Sequence, residues 1–325
     1  MPITLAEMKV GMNDKVAQQV VDTFIRKSEV LELLPFDNAV TPNGGSTLTY
    51  GYIQKKAPGK TAFRKINEEY TASQATVEKK TVDLKVFGGA FEIDRVIKEA
   101  EGMYNNMAYQ IEEKVLSAVG TFHNAMINGD STQRAQEFDG LDKFLVNQKT
   151  EFNTTAPIDL STMDLLKKNA DVFYEALTNL INATAADAIF VSNGMKSKIQ
   201  TVARVLGYKT ESEEAFGRTV TSINGVRIID LGNVVDESGT ETPIIANKTR
   251  DLTGSKTGLS DIYAVKFDVN DGFHGVTLTG NAAIHQYLPN FETPGAVKKG
   301  EVEMVAAVAL KNVKHAGVLR NIKIV

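Results

Sequence analysis

Four histidines, His123, His274, His285 and His315, carry the ring nitrogens that could bind a metal ion in this chain. None of them is paired at the spacing of three or four residues that brings two imidazoles to one metal. The chain has no cysteine, so thiolate ligands and disulfides are also excluded. We therefore predict no metal site and no cofactor. His123 follows the apolar Phe122, and we expect a structural histidine that is partly buried or bridged to solvent.

Two segments resemble ligand-binding loops but depart from the motifs at positions that the chemistry needs. Residues 254–257, Gly-Ser-Lys-Thr, resemble the end of a phosphate loop, yet Thr249 stands where the first glycine is required, so we predict a turn. Residues 268–272 resemble a calcium loop, but the glycine comes one position early and Thr279 replaces the bidentate glutamate. Ser46 lacks the second glycine of a nucleophile elbow. The motifs therefore indicate no enzyme.

Composition narrows the class of protein further. With 325 residues, 42% of them hydrophobic, the chain can bury a sizeable core. Its 36 basic and 40 acidic residues give a net charge of −4, which disfavours coating of DNA or of an anionic membrane. No apolar run approaches the ~18 residues of a membrane span, and Glu7 and Lys9 interrupt the first twelve residues, so we predict a soluble protein that is not exported.

Hydrophobic periodicity predicts an arm and three globular helices. Residues 4–27 favour a helix with a narrow apolar stripe, as expected for an arm that docks on another surface. Three further helices, each with one apolar face, are predicted over residues 103–128, 162–182 and 194–206. We expect Gly129 to end the first of them as a left-handed terminator and Gly207 to end the third. Ser161 is a weak capping signal for the second.

Strand patterns surround these helices without regular alternation. In residues 47–53 and 76–87, Tyr50 and Tyr52, and then Val82, Leu84 and Val86, occupy alternate positions, which predicts two half-buried strands of a long hairpin. Further strands are predicted over residues 226–231, 244–246, 263–267, 276–278 and 302–325. The grouping of strands and helices favours an α+β fold over a Rossmann fold or a barrel.

The segment between the two hairpin strands is too long for a turn. Residues 54–75 are polar and far exceed the usual loop of two to five residues. Their low apolar content leaves two alternatives, local disorder or ordering against a neighbouring subunit, and we favour the second. The side chains that we expect at this subunit contact are Lys55, Lys56, Lys60, Phe63, Arg64, Lys65, Ile66, Glu68, Glu69 and Tyr70. The charges would set register, and the three apolar side chains would contribute more affinity per residue.

A family resemblance appears in the order of several short motifs. Residues 87–95 (FGGAFEIDR) lead into the long helix, which ends at residues 124–131 (NAMINGDS) and is followed by residues 138–141 (FDGL). Residues 188–193 (AIFVSN) then precede a helix, and residues 223–228 (INGVRI) resemble a short hairpin. Together these motifs resemble the major capsid proteins of tailed bacteriophages, which share the Hong Kong 97 fold. The resemblance extends over nearly the whole chain.

This resemblance implies a division of the chain into four parts. They would be an N-terminal arm (1–37), an extended loop (38–90), a peripheral domain with a long spine helix (91–150 and 262–315) and an axial domain (151–261 and 316–325). The implied function is structural and not enzymatic. The protein would assemble into hexamers and pentamers of an icosahedral shell around packaged double-stranded DNA, in the bacterial cytoplasm, and would reside in the virion.

The resemblance also implies partners. The protein would bind copies of itself, a portal protein and a decoration protein. It would also enclose DNA, without sequence-specific binding. The chain starts almost directly with the arm, so we expect a separate scaffolding protein. Some family members crosslink a lysine of the extended loop to an asparagine of a neighbour, but we match no partner asparagine and do not predict that bond. Two alternatives stay open: an encapsulin-like nanocompartment shell of the same fold, and a soluble enzyme whose site is assembled from dispersed residues.

Overall fold

The computed structural model describes residues 28–39, 48–57, 59–99, 106–208, 211–215, 218–235, 239–278 and 284–325. The predicted helical arm over residues 4–27 therefore lies outside the described residues. The described helices are α1 (Glu29–Leu33), α2 (Arg95–Glu99), α3 (Asn106–Asn128), α4 (Leu141–Leu145), α5 (Met163–Thr184) and α6 (Asn193–Val205), with a short 3₁₀ turn at Val313–His315.

The strands of the first half are β1 (Phe36–Asn38), β2 (Thr49–Ala57), β3 (Thr76–Asp83), β4 (Lys85–Asp94), β5 (Glu151–Phe152), β6 (Ile158–Asp159) and β7 (Ala188–Val191). Those of the second half are β8 (Glu211–Ala215), β9 (Arg218–Ile223), β10 (Val226–Asp230), β11 (Asn233–Val235), β12 (Glu241–Pro243), β13 (Lys248–Leu252), β14 (Gly254–Val265), β15 (Phe273–Thr277), β16 (Ile284–Tyr287), β17 (Val297–Leu310) and β18 (Ala316–Lys323). Helices and strands are mixed without strict alternation, which confirms the α+β prediction.

The described strands form two large sheets and two small ribbons. In the five-stranded sheet, β17 is central and pairs with β4, β15 and β16, while β1 adds to β15 in parallel. The nine-stranded sheet has the order β5-β18-β14-β7-β10-β9-β8, with β13 beside β14 and β6 beside β18. The ribbons are β2 with β3 and β11 with β12. The predicted hairpin strands therefore pair with each other.

Helix α3 carries the core of the five-stranded side. Ile111, Val115, Phe122 and Met126 are spaced by four or seven residues and are buried, since this face packs against β4 and β17. The helix prediction is confirmed from Asn106 onward, and residues 103–105 lie outside the described part. Successive side chains of β14 point to opposite faces of the sheet and so contribute to two apolar cores. Tyr263 and Val265 face the α3 side, while Ile262 and Ala264 face α5 and α6.

Gly129 ends α3 for a different reason from the predicted one. It is not among the residues with a left-handed backbone, whereas Gly207 has φ +78° as expected. A Cβ at Gly129 would collide with the carbonyl oxygens of Ala125 and Phe138. Gly140, whose amide donates to the carbonyl of Gly129 at 2.8 Å, is equally crowded. The chain needs glycine here because the returning loop crosses the helix end at backbone contact distance.

Substitution of Gly129 by alanine is expected to lower the free energy of unfolding by about 2–3 kcal/mol, because one of two backbone segments must move. Gly51→Ala is the matched control: its added Cβ would lie 3.5 Å from the Lys79 side chain, an ordinary contact, so a much smaller change is expected. Urea unfolding of both variants measures the difference. Equal losses would contradict the crowding at the end of α3.

Several predicted elements were wrong in detail. The strand predicted over residues 76–87 breaks at Leu84, so that Val86 is exposed instead of buried. Residues 244–246 form a bend and not a strand, and Ile244 and Ile245 are both buried. Residues 302–325 comprise β17 and β18 in two different sheets, joined by the 3₁₀ turn.

The second globular helix, α5, also starts differently. Its cap is Thr162, whose hydroxyl accepts from the amide of Leu165 at 3.3 Å, while Ser161 instead donates its hydroxyl to Asp159. Met163, predicted on the apolar face, is exposed because it occupies the first position of the helix. The rest of that apolar face, from Leu166 onward, is buried as predicted.

Candidate assembly surfaces

The β2–β3 hairpin extends as a two-stranded ribbon. Its strands pair from Thr49 opposite Asp83 to Ala57 opposite Thr76, which gives a ribbon about 30 Å long at ~3.4 Å per residue. Residues 59–75 form its tip, and we refer to them as the hairpin tip. A ribbon of two strands has no second layer of its own, so its outer part is exposed on both faces.

The hairpin tip is organised by contacts within itself. The amide of Lys60 donates to the Ser73 hydroxyl at 3.0 Å, and the Arg64 guanidinium donates to the carbonyl of Glu68 at 3.2 Å. The same guanidinium lies 5.3 Å from the ring centre of Tyr70, and Lys65 pairs with Glu68 at 3.8 Å. Among the described residues, the partners of these tip side chains all belong to the tip. It therefore has a defined shape without support from its own body.

The three large apolar side chains of the tip are all highly exposed. Phe63 is 106% exposed, Ile66 89% and Tyr70 65%. Glu68 and Glu69 are exposed beside them, so the structure brings eight of the ten predicted contact residues together at the tip. The other two, Lys55 and Lys56, lie in β2, and Lys55 pairs with Asp271 of its own chain at 3.6 Å. Their role as subunit contacts stays a prediction.

The root of the hairpin is fixed to the five-stranded sheet. The hydroxyl of Tyr50 donates to Asp37 at 2.7 Å, which ties β2 to β1, and the Gln54 amide donates to the carbonyl of Leu310 at 3.0 Å. Tyr52 is buried beside these contacts, and burial raises its pKa to about 12. Lys311 lies 5.6 Å from the ring centre of Tyr50. These contacts fix the root of the hairpin on the sheet, so the tip is presented without a flexible connection.

One face of the five-stranded sheet is uncovered, a feature that the sequence patterns missed. In β4 the odd-numbered residues, such as Phe91 and Ile93, face α3 and are buried, whereas Val86, Gly88, Ala90 and Glu92 face outward and are exposed. Opposite them across the strand pairs stand Lys299, Glu301 and Glu303 of β17, followed by His285 and Tyr287 of β16. We call this surface the open sheet face. It contains three carboxylates and one lysine, so its formal charge is −2.

A second polar assembly joins α4 to the nine-stranded sheet. Its members are Asp142 of α4, Glu151 of β5, Lys248 and Arg250 of β13, Asp261 of β14 and Arg320 of β18, and we call them the joint cluster. Three carboxylates balance three cations. Arg250 clamps Asp261 with two hydrogen bonds of 2.7 and 2.5 Å, and Arg320 pairs with Glu151. Asp261 is 1% exposed, so these charges depend on one another.

Asp142 is the one member that α4 contributes. It accepts from Arg320 at 2.5 Å, from Lys248 at 3.0 Å and from the Tyr263 hydroxyl at 3.0 Å. Burial alone would raise the pKa of Asp142, but Lys248 and Arg320 outweigh it and lower the pKa to about 2. Asp142 therefore keeps its charge throughout the neutral range.

His123 is a structural residue, as expected, but it is more deeply buried than predicted. Its ring is buried and not bridged to solvent: Nε2 lies 2.7 Å from the hydroxyl of Ser28, and Nδ1 lies 3.3 Å from the carbonyl of Leu231. Because a carbonyl only accepts, Nδ1 carries the proton and Nε2 accepts from Ser28. The Ser28 oxygen also accepts from the amide of Leu31 and so caps α1. The neutral ring therefore holds together α1, α3 and the end of β10.

Acid is expected to weaken this contact. Burial lowers the pKa of His123 to about 4, from 6.5, against a smaller opposing effect of the Leu231 carbonyl. Between these values the unfolded chain takes up a proton that the folded chain refuses, so stability falls as the pH is lowered from 6.5 to 4. For this group alone we expect a loss of about 2 kcal/mol between pH 7 and pH 5. Urea unfolding of His123→Gln should show a shallower pH dependence; identical slopes would contradict the buried neutral ring.

The structure also locates the segments that could have held ligands. Within the described residues, no three His, Asp or Glu side chains lie close enough to hold a metal ion. The calcium-like residues are used otherwise: Asp268 accepts from the amide of Asn270, and Asp271 faces Lys55. The turn predicted at residues 254–257 was wrong, because these residues begin strand β14. Gly254, the first of them, has φ +88°.

A cavity of about 380 Å³ lies at the hairpin root, between β3 and α4. Its titratable groups are paired: Lys85 donates to the carbonyl of Ala135 at 2.8 Å, and Lys143 bridges Asp130 and Asp139 at 2.6 and 2.8 Å. Such paired charges stabilise the loop after α3 and offer no poised acid or base. Among the described helices, none is long and apolar enough to span a membrane.

Comparison with solved structures identifies the fold. The holo-SrpI encapsulin complex from Synechococcus elongatus superposes with a TM-score of 0.57 at 10% identity, covering 90% of this chain and 87% of that chain. A chain from Mycobacterium phage Bobi gives 0.54 at 13% identity, covering 91% and 89%. The capsid of a native GTA particle gives 0.53 at 9% identity, covering 90% and 89%. The chain has the Hong Kong 97 fold.

At identities this low the shared property is the fold, and the Hong Kong 97 prediction is confirmed. No protein-family model matches the chain, and no curated protein matches its sequence. The fold accounts for the three main features of the structure: the hairpin, the long helix α3 on a sheet, and the separate nine-stranded sheet. The division into arm, extended loop, peripheral domain and axial domain stays a prediction.

Proposed function

We propose that the protein is a shell subunit that assembles with copies of itself, and specifically that it is the major capsid protein of a tailed bacteriophage. The observation that carries the proposal is the hairpin tip, which displays Phe63, Ile66 and Tyr70 to solvent in a defined conformation. A monomer gains nothing from this arrangement, because the side chains bury no area on their own body. A partner surface would complete it.

The open sheet face of a neighbouring copy is the surface that fits the tip. The tip has three basic and two acidic residues, and Lys55 and Lys56 add to its positive charge, whereas the open sheet face has a formal charge of −2. Gly88 and Ala90 present almost no side chain, so an aromatic ring can approach the sheet closely. Opposite charges steer such an encounter and set its register.

The energetics suit a closed shell. Burial of one large apolar side chain contributes about 1.5–3 kcal/mol, so the three anchors give each contact modest strength. The tip of one subunit on the sheet of the next is a heterologous contact, and repeated contacts of this kind close into rings when the rotation permits. Many modest contacts allow wrongly placed subunits to leave before the shell closes.

The phage capsid proposal includes specific contents and partners. The shell would enclose double-stranded DNA without reading its sequence, and it would need a portal protein, with scaffolding and decoration proteins as further partners. The motifs around residues 87–95 and 124–141, which resemble phage capsid proteins, support this assignment.

A second candidate is a nanocompartment that encloses protein cargo, as encapsulins do. The similarity to the SrpI encapsulin, with a TM-score of 0.57, and to a virus-like particle from Pyrococcus furiosus, with 0.50, favours it. The contents separate the two candidates: nuclease-protected DNA in particles from the native source supports the phage capsid, and a stoichiometric protein cargo supports the nanocompartment.

Sedimentation and negative-stain microscopy of the purified protein test shell formation itself. Closed particles or rings of five or six subunits are the expected result on concentration, alone or with a candidate scaffolding protein. A discrete monomer or dimer under every condition, with the hairpin tip protected by its own chain, would overturn the proposal.

A further inference from the structure

The joint cluster lies where two bodies of the fold meet. The chain passes between the five-stranded and nine-stranded sides at three places: through α4 after α3, between β14 and β15, and between β17 and β18. Of these, α4 packs against both α3 and β18, and Leu141 and Leu145 are fully buried. Helix α4 is therefore anchored in the apolar core that it shares with α3, and Asp142 couples it to the nine-stranded sheet.

The hydrogen bonds of Asp142 depend on the orientation of α4 relative to the nine-stranded sheet. Asp142 accepts from donors on three different strands, Lys248 of β13, Tyr263 of β14 and Arg320 of β18, at 2.5 to 3.0 Å. Apolar contacts tolerate small rotations, but charged hydrogen bonds of this length do not, since a shift of about 1 Å takes them out of range. Any rotation of α4 against the sheet would leave the largely buried Arg320 without one of its carboxylates.

We propose that the joint cluster is a clamp that fixes the angle between the two sheets and thereby sets the diameter of the shell. The inference rests on the proposed function, because an angle inside the subunit becomes a curvature only when subunits repeat around a closed lattice. With the clamp intact, each subunit presents its hairpin tip and its open sheet face in one relative orientation. Loosening the clamp allows several orientations and hence several curvatures.

Two variants of the full chain separate the clamp from general stability. Lys248→Gln removes a charged partner of Asp142 at the joint, and the 33% exposure of the lysine side chain keeps the change mild. Arg250→Gln is the matched control: it removes a cation of the same cluster whose partners, Asp261 and Asn321, both belong to the nine-stranded sheet. Shells of each are sized by cryo-electron microscopy.

We expect wild-type and Arg250→Gln shells of one diameter and Lys248→Gln shells whose spread of diameters is at least twofold wider. Lys248→Gln shells of wild-type diameter and spread, or an equal broadening in Arg250→Gln, would overturn the clamp and leave the proposed function intact. Failure of the wild type to form shells under any condition overturns the proposed function instead.

A second measurement does not require assembly. In unassembled subunits, amide hydrogen exchange of α4 should be at least tenfold faster in Lys248→Gln than in the wild type, while the amides in the middle of α3 keep their rates. Arg250→Gln should leave the α4 rates within about twofold of the wild type. Equal α4 rates in the wild type and Lys248→Gln would overturn the clamp.

Discussion

Replacement of Phe63 and Tyr70 by alanine is expected to abolish shell formation while the subunit stays folded. Both side chains are exposed in the isolated chain, so their loss should change the free energy of unfolding by no more than about 0.5 kcal/mol. At the contact, two truncated aromatic anchors weaken each interface by about 3 kcal/mol or more, which is a factor of at least ~100 in affinity. Electron microscopy and urea unfolding of the same preparation measure the two effects.

Val172→Ala is the control for the loss of an exposed apolar side chain outside the hairpin tip. This valine is 57% exposed on α5, away from the hairpin, and the variant should form shells like the wild type. Normal particles from the Phe63 and Tyr70 double variant would show that the tip is not a subunit contact. Loss of the folded state in that variant would show that the tip packs on its own chain.

Asp142→Asn is expected to produce a large loss of stability, because its carboxylate links α4 to two cations of the nine-stranded sheet. The asparagine keeps the size of the side chain but leaves Lys248 and Arg320 with a deficit of one negative charge. Removal of one partner from a buried pair costs about 3–5 kcal/mol, and the 30% exposure of Asp142 places the expected loss near 3 kcal/mol. Denaturant unfolding of dissociated subunits at neutral pH measures it.

Asp130→Asn is the matched control for that measurement. Asp130 also pairs with a lysine, at 2.6 Å, but Lys143 retains Asp139 as a second carboxylate at 2.8 Å, so a much smaller change is expected. Equal losses in the two variants would contradict the special role of the cluster. If Asp142→Asn leaves the free energy of unfolding unchanged, water already solvates the cations of Lys248 and Arg320.

The features that could be predicted from the sequence are those encoded over short distances. The apolar period of α3 and the presence of a long polar insertion between the hairpin strands are local, and both are found in the described structure. The predicted start of the insertion at residue 54 was wrong, because β2 extends to Ala57. The break at Leu84 was missed because Val82, Leu84 and Val86 alternate across it in the sequence, and only the pairing of β3 and β4 with different strands reveals the change of face.

The joint cluster and the open sheet face depend on distant residues. Asp142 and Arg320 are 178 positions apart, and neither belongs to a motif, so no pattern in the sequence connects them. The role of Gly129 was assigned to the wrong physical cause because the chain that crosses it, at Phe138, returns only in the folded state. The full burial of His123 was missed because its partners, Ser28 and Leu231, lie in other elements.

Cryo-electron microscopy of the assembled particle, at a resolution that shows side chains, tests the central claim most directly. We expect density for Phe63 and Tyr70 of one subunit within about 4.5 Å of a neighbour's open sheet face, near the position of Ala90. A closed particle in which the tip points into solvent, or a folded protein that forms no particle while its tip rests on its own body, would contradict the account.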